Sequence, residues 1–184
     1  MTPNDVLEFW FAGDPAAFRK LWFESSAEFD AACSRFTGAL RDAKAGALDH
    51  WTATPRGTLA LIILLDQFSR NLHRGSPEAF AADAKARDIA RSAVAKGFDQ
   101  VLGPVERLFV YLPFEHSENL ADQDEAVRLF ATLCQTLGED SIRYTERHRD
   151  VIRRFGRFPH RNAALGRVST PDELAYLAEP DAGF

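Results

Sequence analysis

Cysteine, lysine and long apolar segments are scarce in this sequence. Its two cysteines, Cys33 and Cys134, show no CxxC spacing and are typical of reduced, packed thiols in a cytoplasmic protein. The longest segment without Asp, Glu, Lys or Arg runs from Leu129 to Gly138, far short of the roughly 20 apolar residues that cross a membrane. We therefore expect a cytoplasmic protein without a membrane-spanning segment.

The sequence also lacks an excess of basic charge. Acidic side chains number 27 against 22 basic ones, which gives a formal net charge of −5 and disfavours nucleic acid as a partner. Of the basic residues, 18 are Arg and 4 are Lys, and Arg is the better bidentate partner of carboxylates and phosphates. A length of 184 residues with 46% hydrophobic content is typical of one globular domain, predicted to cover residues 1–184.

Helix signals dominate the chain. A hydroxyl residue precedes a proline at Thr54-Pro55, Ser76-Pro77 and Thr170-Pro171, which is typical of helix starts, and Ser25 with Glu28 fits a capping box. Apolar residues recur every three or four positions between these signals, and no alternating strand pattern competes. The sequence therefore predicts an all-α fold. The predicted helices cover residues 4–10, 15–22, 26–45, 55–73, 77–96, 104–112, 118–137, 140–155 and 171–178.

The segment Leu59–Leu65 is apolar on every side, so we expect a central helix surrounded by other helices. Helices of similar length joined by short turns with Gly or Pro favour antiparallel helical hairpins stacked in series. Pro113 is expected to end the helix that precedes it.

Charged residues follow this apolar segment directly, in the motif DQFSRN at residues 66–71. Asp66 and Arg70 are four positions apart with the acid first, which suits an ion pair on one helix face. The pair either closes the helix as a structural contact or lines a polar pocket together with Gln67 and Asn71.

A second polar motif, LPFEHSE at residues 112–118, joins two predicted helices. Glu115, His116 and Glu118 cluster in this connection, and a histidine beside carboxylates can transfer protons. The alternative is an exposed His116, with Glu118 stabilising the first turn of the next helix.

The third motif, HRDVIRRFGRFPHRN at residues 148–162, is rich in arginine. His148 shares a helix face with apolar residues and is expected to face the core. Arg157 and Arg161 lie in an irregular segment, stiffened by Phe158-Pro159, that can present several donors to an anion. The alternative is a charged, solvated turn, and RNA binding through this segment also stays open.

Motifs for cofactors are absent from the sequence. It contains no P-loop, no GxGxxG and no GxSxG elbow. His116, His148 and His160 lack the HExxH spacing of a helical zinc site, so we expect neither a metal nor another cofactor, although tertiary convergence could still assemble these histidines.

The three motifs and their flanking residues together resemble one bacterial family. The segments that carry the resemblance are VLEFWF, LLDQFSRNLHRG, FVYLPFEHSE and HRDVIRRFGRFPHRNAALGR. From them the chain is identified as a member of the family of domain of unknown function 924, over Leu7 to Phe184. The resemblance implies an all-α fold similar to tetratricopeptide-repeat proteins, a right-handed superhelix of helical hairpins with extra N-terminal helices. It implies no established activity.

Two functions from different classes follow as hypotheses. The first is a small enzyme or binder that acts on an anionic small molecule, a phosphate or a carboxylate, in one pocket where the three motifs meet. The second is a tetratricopeptide-like module that binds a peptide or protein without catalysis. In the first hypothesis, the predicted proton-transfer and orienting residues are His116, Glu118, His160 and Asp66. The predicted substrate-binding residues are Gln67, Arg70, Asn71, His148, Arg157, Arg161 and Asn162.

Overall fold

The computed structural model describes residues 1–24, 26–180 and 182–183, and every regular element in these ranges is helical. The predicted all-α fold is therefore confirmed. Within the same ranges, no helix is long and apolar enough to cross a membrane. The α-helices are α1 (Pro3–Phe11), α2 (Ala27–Cys33), α3 (Thr37–Lys44), α4 (Pro55–Ile62), α5 (Ser69–Leu72), α6 (Asp83–Ala95), α7 (Pro104–Glu115), α8 (Leu120–Ala131), α9 (Cys134–Leu137), α10 (Glu139–Phe155) and α11 (Pro171–Leu177). Short 3-10 turns lie at Lys20–Trp22, Ser34–Phe36, Asp49–Ala53, Pro77–Ala79, Asp99–Val101 and Pro159–Arg161.

The chain divides into two compact units. The first unit comprises Met1–Arg74 and Glu78–Pro113, and the second comprises Gly75–Pro77 and Phe114–Phe184. The boundary falls inside α7, directly after Pro113. The predicted organisation as one domain stays a prediction, and each unit is described by itself below.

The apolar segment Leu59–Leu65 forms the centre of the first unit. Every side chain in it is 0% exposed. Helix α4 packs against α1, against α6 and against the 3-10 turn at Asp49–Ala53, so its apolar partners come from several elements. The prediction of a central, surrounded helix is confirmed, because a helix that is apolar all round can be stable only when all its sides are covered.

A π-helical segment, Ile63–Phe68, interrupts this central helix between α4 and α5. The sequence predicts one regular helix over residues 55–73. An i→i+5 turn holds one residue more than an α-turn, and such turns occur often at functional sites. Apolar periodicity cannot detect the extra residue here, because Leu59–Leu65 is apolar on every side and a change of helical phase within it leaves no trace in the pattern.

The second unit is built on a helical hairpin. Helices α8 and α10 pack together, and Arg153 near the end of α10 lies 3.3 Å from Asp124 near the start of α8, so the two helices are antiparallel. Val151, Ile152 and Phe158 form a core against which Phe155 and Tyr176 pack. This hairpin agrees with the predicted antiparallel pairs, whereas the tetratricopeptide-like superhelix stays a prediction.

Helix starts follow the predicted capping residues at several positions. The Thr54 side chain accepts the Gly57 N–H, and Thr170 forms a capping box with Glu173. The start of α2 is capped by Ser26, whose side chain accepts the Phe29 N–H. The predicted capping residue Ser25 lies outside the described residues.

Pro113 does not end its helix, which contradicts the sequence prediction. Helix α7 continues through Pro113 to Glu115. A proline inside a helix removes one backbone hydrogen bond. Leu112 is 3% exposed and Phe114 is 1% exposed, so burial of these apolar side chains stabilises the helical continuation. As a consequence, Glu115 belongs to a buried helix end and not to an exposed loop.

The predicted helix over residues 15–22 is also wrong, because only the 3-10 turn Lys20–Trp22 forms there. The Arg19 and Trp22 side chains both donate to the Trp10 carbonyl, at 2.8 and 3.0 Å, so tertiary contacts decide the conformation of this segment. The predicted helices over 26–45, 77–96 and 118–137 are present but are interrupted or begin later than expected.

Candidate functional site

The first motif forms an ion-pair network inside the first unit. Asp66 is 0% exposed, and its Oδ1 lies 3.1 Å from Arg70 Nη1. Both guanidinium Nη atoms of Arg70 also donate to the carboxylate of Asp83, at 2.9 Å each. Burial opposes the charge of Arg70, but the carboxylates of Asp66 and Asp83 outweigh it and raise the pKa of Arg70. The predicted Asp66–Arg70 contact is therefore present, and Asp83 is a partner that no sequence spacing indicated.

The two amide side chains of the first motif, Gln67 and Asn71, also donate hydrogen bonds to buried or half-buried carboxylates. Gln67 Nε2 donates to Asp66 Oδ2 at 2.6 Å, and Asn71 Nδ2 donates to Asp30 Oδ1 at 2.7 Å. Arg74 binds the carboxylate of Asp30 with two hydrogen bonds of 2.8 Å. These contacts favour the structural alternative for the first motif, and its predicted role in substrate binding stays a prediction.

His148 is the most buried histidine of the second unit, with 4% of its surface exposed. Its Nδ1 lies 3.0 Å from the Tyr144 carbonyl oxygen. A carbonyl only accepts, so Nδ1 carries the proton and the neutral ring has its lone pair on Nε2. Burial lowers the pKa of His148 well below the usual value; the hydrogen bond to Tyr144 opposes this shift, and the charges of His116, His160 and Arg161 add to it. His148 is therefore neutral near pH 7.

Phe158 connects the second and third motifs within the second unit. Its ring is 0% exposed, and ring centroids of His148 and His160 lie 5.7 and 5.5 Å from it. The Arg161 guanidinium carbon lies 4.5 Å from the centre of the same ring, and the residue is 7% exposed. In addition to burial, the charge of His116 lowers the pKa of His148, so we group His116 with these side chains and name the group the His–Arg cluster. Its members are His116, His148, His160 and Arg161.

Glu118 and Arg167 hold the backbone of Phe158 from both sides. Glu118 Oε1 accepts the Phe158 N–H at 2.8 Å, and Arg167 Nη2 donates to the Phe158 carbonyl at 3.0 Å. The two side chains also form a bidentate ion pair, at 2.7 and 3.0 Å. Burial raises the pKa of Glu118, but Arg167, the Phe158 amide and the charge of Arg161 outweigh burial and lower it. A carboxylate that stays ionised and holds these donors is suited to positioning more than to the predicted proton transfer.

Glu115, from the second motif, is a site residue that lies outside the set predicted from the sequence. It is 2% exposed; its Oε2 accepts the Thr145 hydroxyl at 2.5 Å, and its Oε1 lies 3.8 Å from His148 Nε2. Its signal in the sequence is its position two residues after Pro113, where the proline predicts a helix end but the helix continues to Glu115. Thr145, which is 0% exposed, carries no recognisable signal in the sequence.

The arginine-rich end of the third motif is tied to α11. Arg157 donates to both carboxylate oxygens of Glu173, at 2.6 and 2.8 Å, and Asn162 Nδ2 donates to Ser169 Oγ at 2.9 Å. Hydrogen bonding to Arg157 lowers the pKa of Glu173 to about 2. Asn162 is 1% exposed and also lies 3.3 Å from Glu173 Oε2. These contacts favour a structural role for Arg157 and Asn162 over the predicted binding of an anion.

The second and third motifs therefore meet inside the second unit, around Phe158. The first motif lies in the first unit, and a pocket shared by all three motifs stays a prediction. Across the described ranges, no group of three or more His, Cys, Asp or Glu side chains is arranged to hold a metal ion.

The fold and the polar cluster define an all-helical protein with buried histidine and arginine side chains. The chain belongs to a family described as bacterial protein of unknown function (DUF924), whose model matches residues 6–181. A solved structure of a protein of unknown function from Agrobacterium tumefaciens is similar to it, with a TM-score of 0.86 and 41% identity over 97% of each chain. No curated protein matches the chain. The predicted family is confirmed, and it carries no established activity.

Proposed function

We propose that the second unit binds an anionic small molecule, through a phosphate or carboxylate group, at the His–Arg cluster. The observation that carries this proposal is the convergence of His148, His160 and Arg161 on the buried Phe158 ring. In addition to burial, the charge of His116, from the connection after α7, lowers the pKa of the neutral His148 and so adds His116 to this group. Groups that donate hydrogen bonds or carry positive charge are thereby concentrated where the protein interior strengthens electrostatic interactions.

Arg161 is the main anion-binding residue in this proposal. Its guanidinium lies over the Phe158 ring, which orients its plane, and the residue is 7% exposed. A planar guanidinium matches the geometry of carboxylate and phosphate oxygens, and its charge is weakly hydrated, so desolvation costs less than for an ammonium group. His116 and His160 supply further N–H donors in either protonation state.

His148 is the candidate general base. Its proton lies on Nδ1 toward Tyr144, and its lowered pKa keeps Nε2 unprotonated near pH 7. A base of this kind can accept a proton from a bound molecule. Glu118, Arg157 and Asn162 act as positioning residues in this scheme, and the residues of the first motif have no part in it.

Binding of inorganic phosphate and acetate, measured by isothermal titration calorimetry at low ionic strength, tests the proposal. Loss of a charge-assisted hydrogen bond costs about 1.5–3 kcal/mol, so Arg161→Gln should weaken binding by about tenfold to a hundredfold. Arg153→Gln is the matched control, because Arg153 is an exposed arginine of α10 whose side chain is 48% accessible. Wild-type chain that binds neither anion, or equal affinities in Arg161→Gln and wild type, would contradict the proposal.

A further inference from the structure

Gln123, near the start of α8, is a buried polar residue that holds the connection carrying His116. It is 0% exposed. Its Nε2 donates to the Glu115 carbonyl at 2.6 Å and to the Ser117 carbonyl at 2.7 Å. These two carbonyls belong to the residues directly before and after His116. One side-chain amide therefore restrains the backbone on both sides of this histidine.

The orientation of the Gln123 amide follows from its partners. Only the NH2 group can donate to two carbonyls, and the reversed amide would place Oε1 against two carbonyl oxygens. Oε1 is buried, and among the described residues it has no hydrogen-bond partner. Burial of an acceptor without a donor is unfavourable. The two donated hydrogen bonds are therefore what favours glutamine over an apolar residue at this position.

The segment after His116 is restrained by further hydrogen bonds. The Ser117 hydroxyl donates to Asp122 Oδ2 at 2.7 Å and accepts the Asn119 N–H at 3.2 Å. The Ser117 N–H donates to the Phe114 carbonyl at 3.1 Å. Gln123 and Asp122 are neighbours in α8, so the start of this helix fixes the connection as a unit. A restrained backbone reduces the entropy lost when a side chain binds a ligand.

We propose that Gln123 is a positioning residue of the anion site. It holds His116 in place for the anion and, through the Glu115 carbonyl, also fixes the helix end that brings the Glu115 carboxylate to 3.8 Å from His148. This inference rests on the proposed function, since it names the residue that preorganises the same cluster.

Inorganic phosphate is the probe, and the readouts are its dissociation constant and the phosphate-induced NMR shifts of the histidine rings in the full chain. Gln123→Glu and Gln123→Met both remove the two N–H donors. Each should weaken phosphate binding about tenfold and should reduce the shift of the His116 ring. Gln135→Glu is the matched control, because Gln135 is an exposed glutamine of α9. It should leave both readouts unchanged.

The outcomes separate this inference from the proposed function. Wild-type chain without phosphate binding overturns both. Phosphate binding with wild-type affinity and a wild-type His116 shift in folded Gln123 variants overturns only the role of Gln123. Where both variants fail to fold, the NMR signals of the Gln123 side-chain amide in the wild-type chain provide the test. These signals should shift when phosphate binds. Unchanged Gln123 signals, together with a phosphate-induced shift of the His116 ring, would overturn the inference.

Discussion

The Glu118–Arg167 pair gives the sharpest test of how the second unit holds Phe158. Glu118→Gln keeps an oxygen that can accept the Phe158 N–H but replaces the other carboxylate oxygen with an NH2 group. That NH2 group faces the Arg167 guanidinium. In the wild-type chain, the guanidinium nitrogens lie 2.7 and 3.0 Å from the two carboxylate oxygens. The substitution therefore removes the bidentate pair while the volume of the side chain stays nearly constant.

The coupling free energy of Glu118 and Arg167 follows from the number of their hydrogen bonds and from the exposure of the two side chains. A hydrogen bond to a charged group contributes about 1.5–3 kcal/mol when buried. The Glu118 and Arg167 side chains are 29% and 22% exposed, so solvent screening reduces the coupling of the pair to about 1–2 kcal/mol. Urea unfolding of wild type, Glu118→Gln, Arg167→Met and the double variant measures this coupling as a double-mutant cycle.

The exposed pair of Glu125 and Arg128 is the matched control. It has two hydrogen bonds of 2.8 and 2.6 Å, but the Arg128 side chain is 61% exposed. The same cycle on this pair should give at most about 0.5 kcal/mol. A coupling for Glu118 and Arg167 no larger than that of the control pair would refute the argument that these two residues brace the Phe158 backbone.

The effect of Glu118→Gln on the free energy of unfolding should depend on pH. The pKa of Glu118 is lowered in the folded chain from its ordinary value of 4.5, so its ionised form stabilises the fold above that pH. This contribution is lost as the pH falls through the folded pKa. The stability difference between wild type and Glu118→Gln should therefore be constant near pH 7 and should narrow below about pH 4.5. A difference that does not change with pH would show that ionisation of Glu118 is not what stabilises the contact.

Two further variants test the remaining ion pairs. Asp66→Ala should lower the free energy of unfolding by about 1–3 kcal/mol. This is less than the loss of a sole partner would cost, because Asp83 still pairs with the buried Arg70. Thermal unfolding measures the loss, and an unchanged melting temperature would contradict the prediction. Glu173→Gln should lose less stability than wild type as the pH falls below 4.5. The pKa of Glu173 is lowered from 4.5 to about 2, so its ionised carboxylate stabilises the fold above pH 4.5, and this contribution is lost as the pH falls toward 2. Acid titration followed by circular dichroism checks this, and identical acid transitions in wild type and Glu173→Gln would count against the role of the Arg157 contact.

Local signals in the sequence were sufficient to predict the helical class and the central helix. Thr54 and Thr170 cap helices because each hydroxyl accepts a free N–H of the first turn, while the proline that follows has a φ suited to a helix. The burial of Leu59–Leu65 follows from its uniformly apolar composition. These properties depend on near neighbours in the chain, which is why they can be inferred without a structure.

The site depends on contacts between distant residues, and only part of it could be predicted. The i,i+4 spacing of Asp66 and Arg70 identified their ion pair, but Asp83 joins it from another helix with no matching pattern. Arg167 was one arginine among many, and its partner Glu118 lies 49 residues away. Glu115 was misplaced because a proline inside a helix is uncommon, and burial of the apolar side chains around it overcame the lost hydrogen bond.

The extra residue in the Ile63–Phe68 segment sets the rotational phase of the helix end that follows it. Each α-helical residue advances the chain by about 100°, so one added residue turns α5 by roughly a quarter of a turn or slightly more relative to an uninterrupted α4. With this phase, Arg70 faces Asp83 of α6, while Asn71 faces Asp30 of α2. Deletion of one residue from the segment would leave its composition almost unchanged and would direct both side chains away from their partners. The contacts of α5 therefore depend on the number of residues before it as well as on their identity.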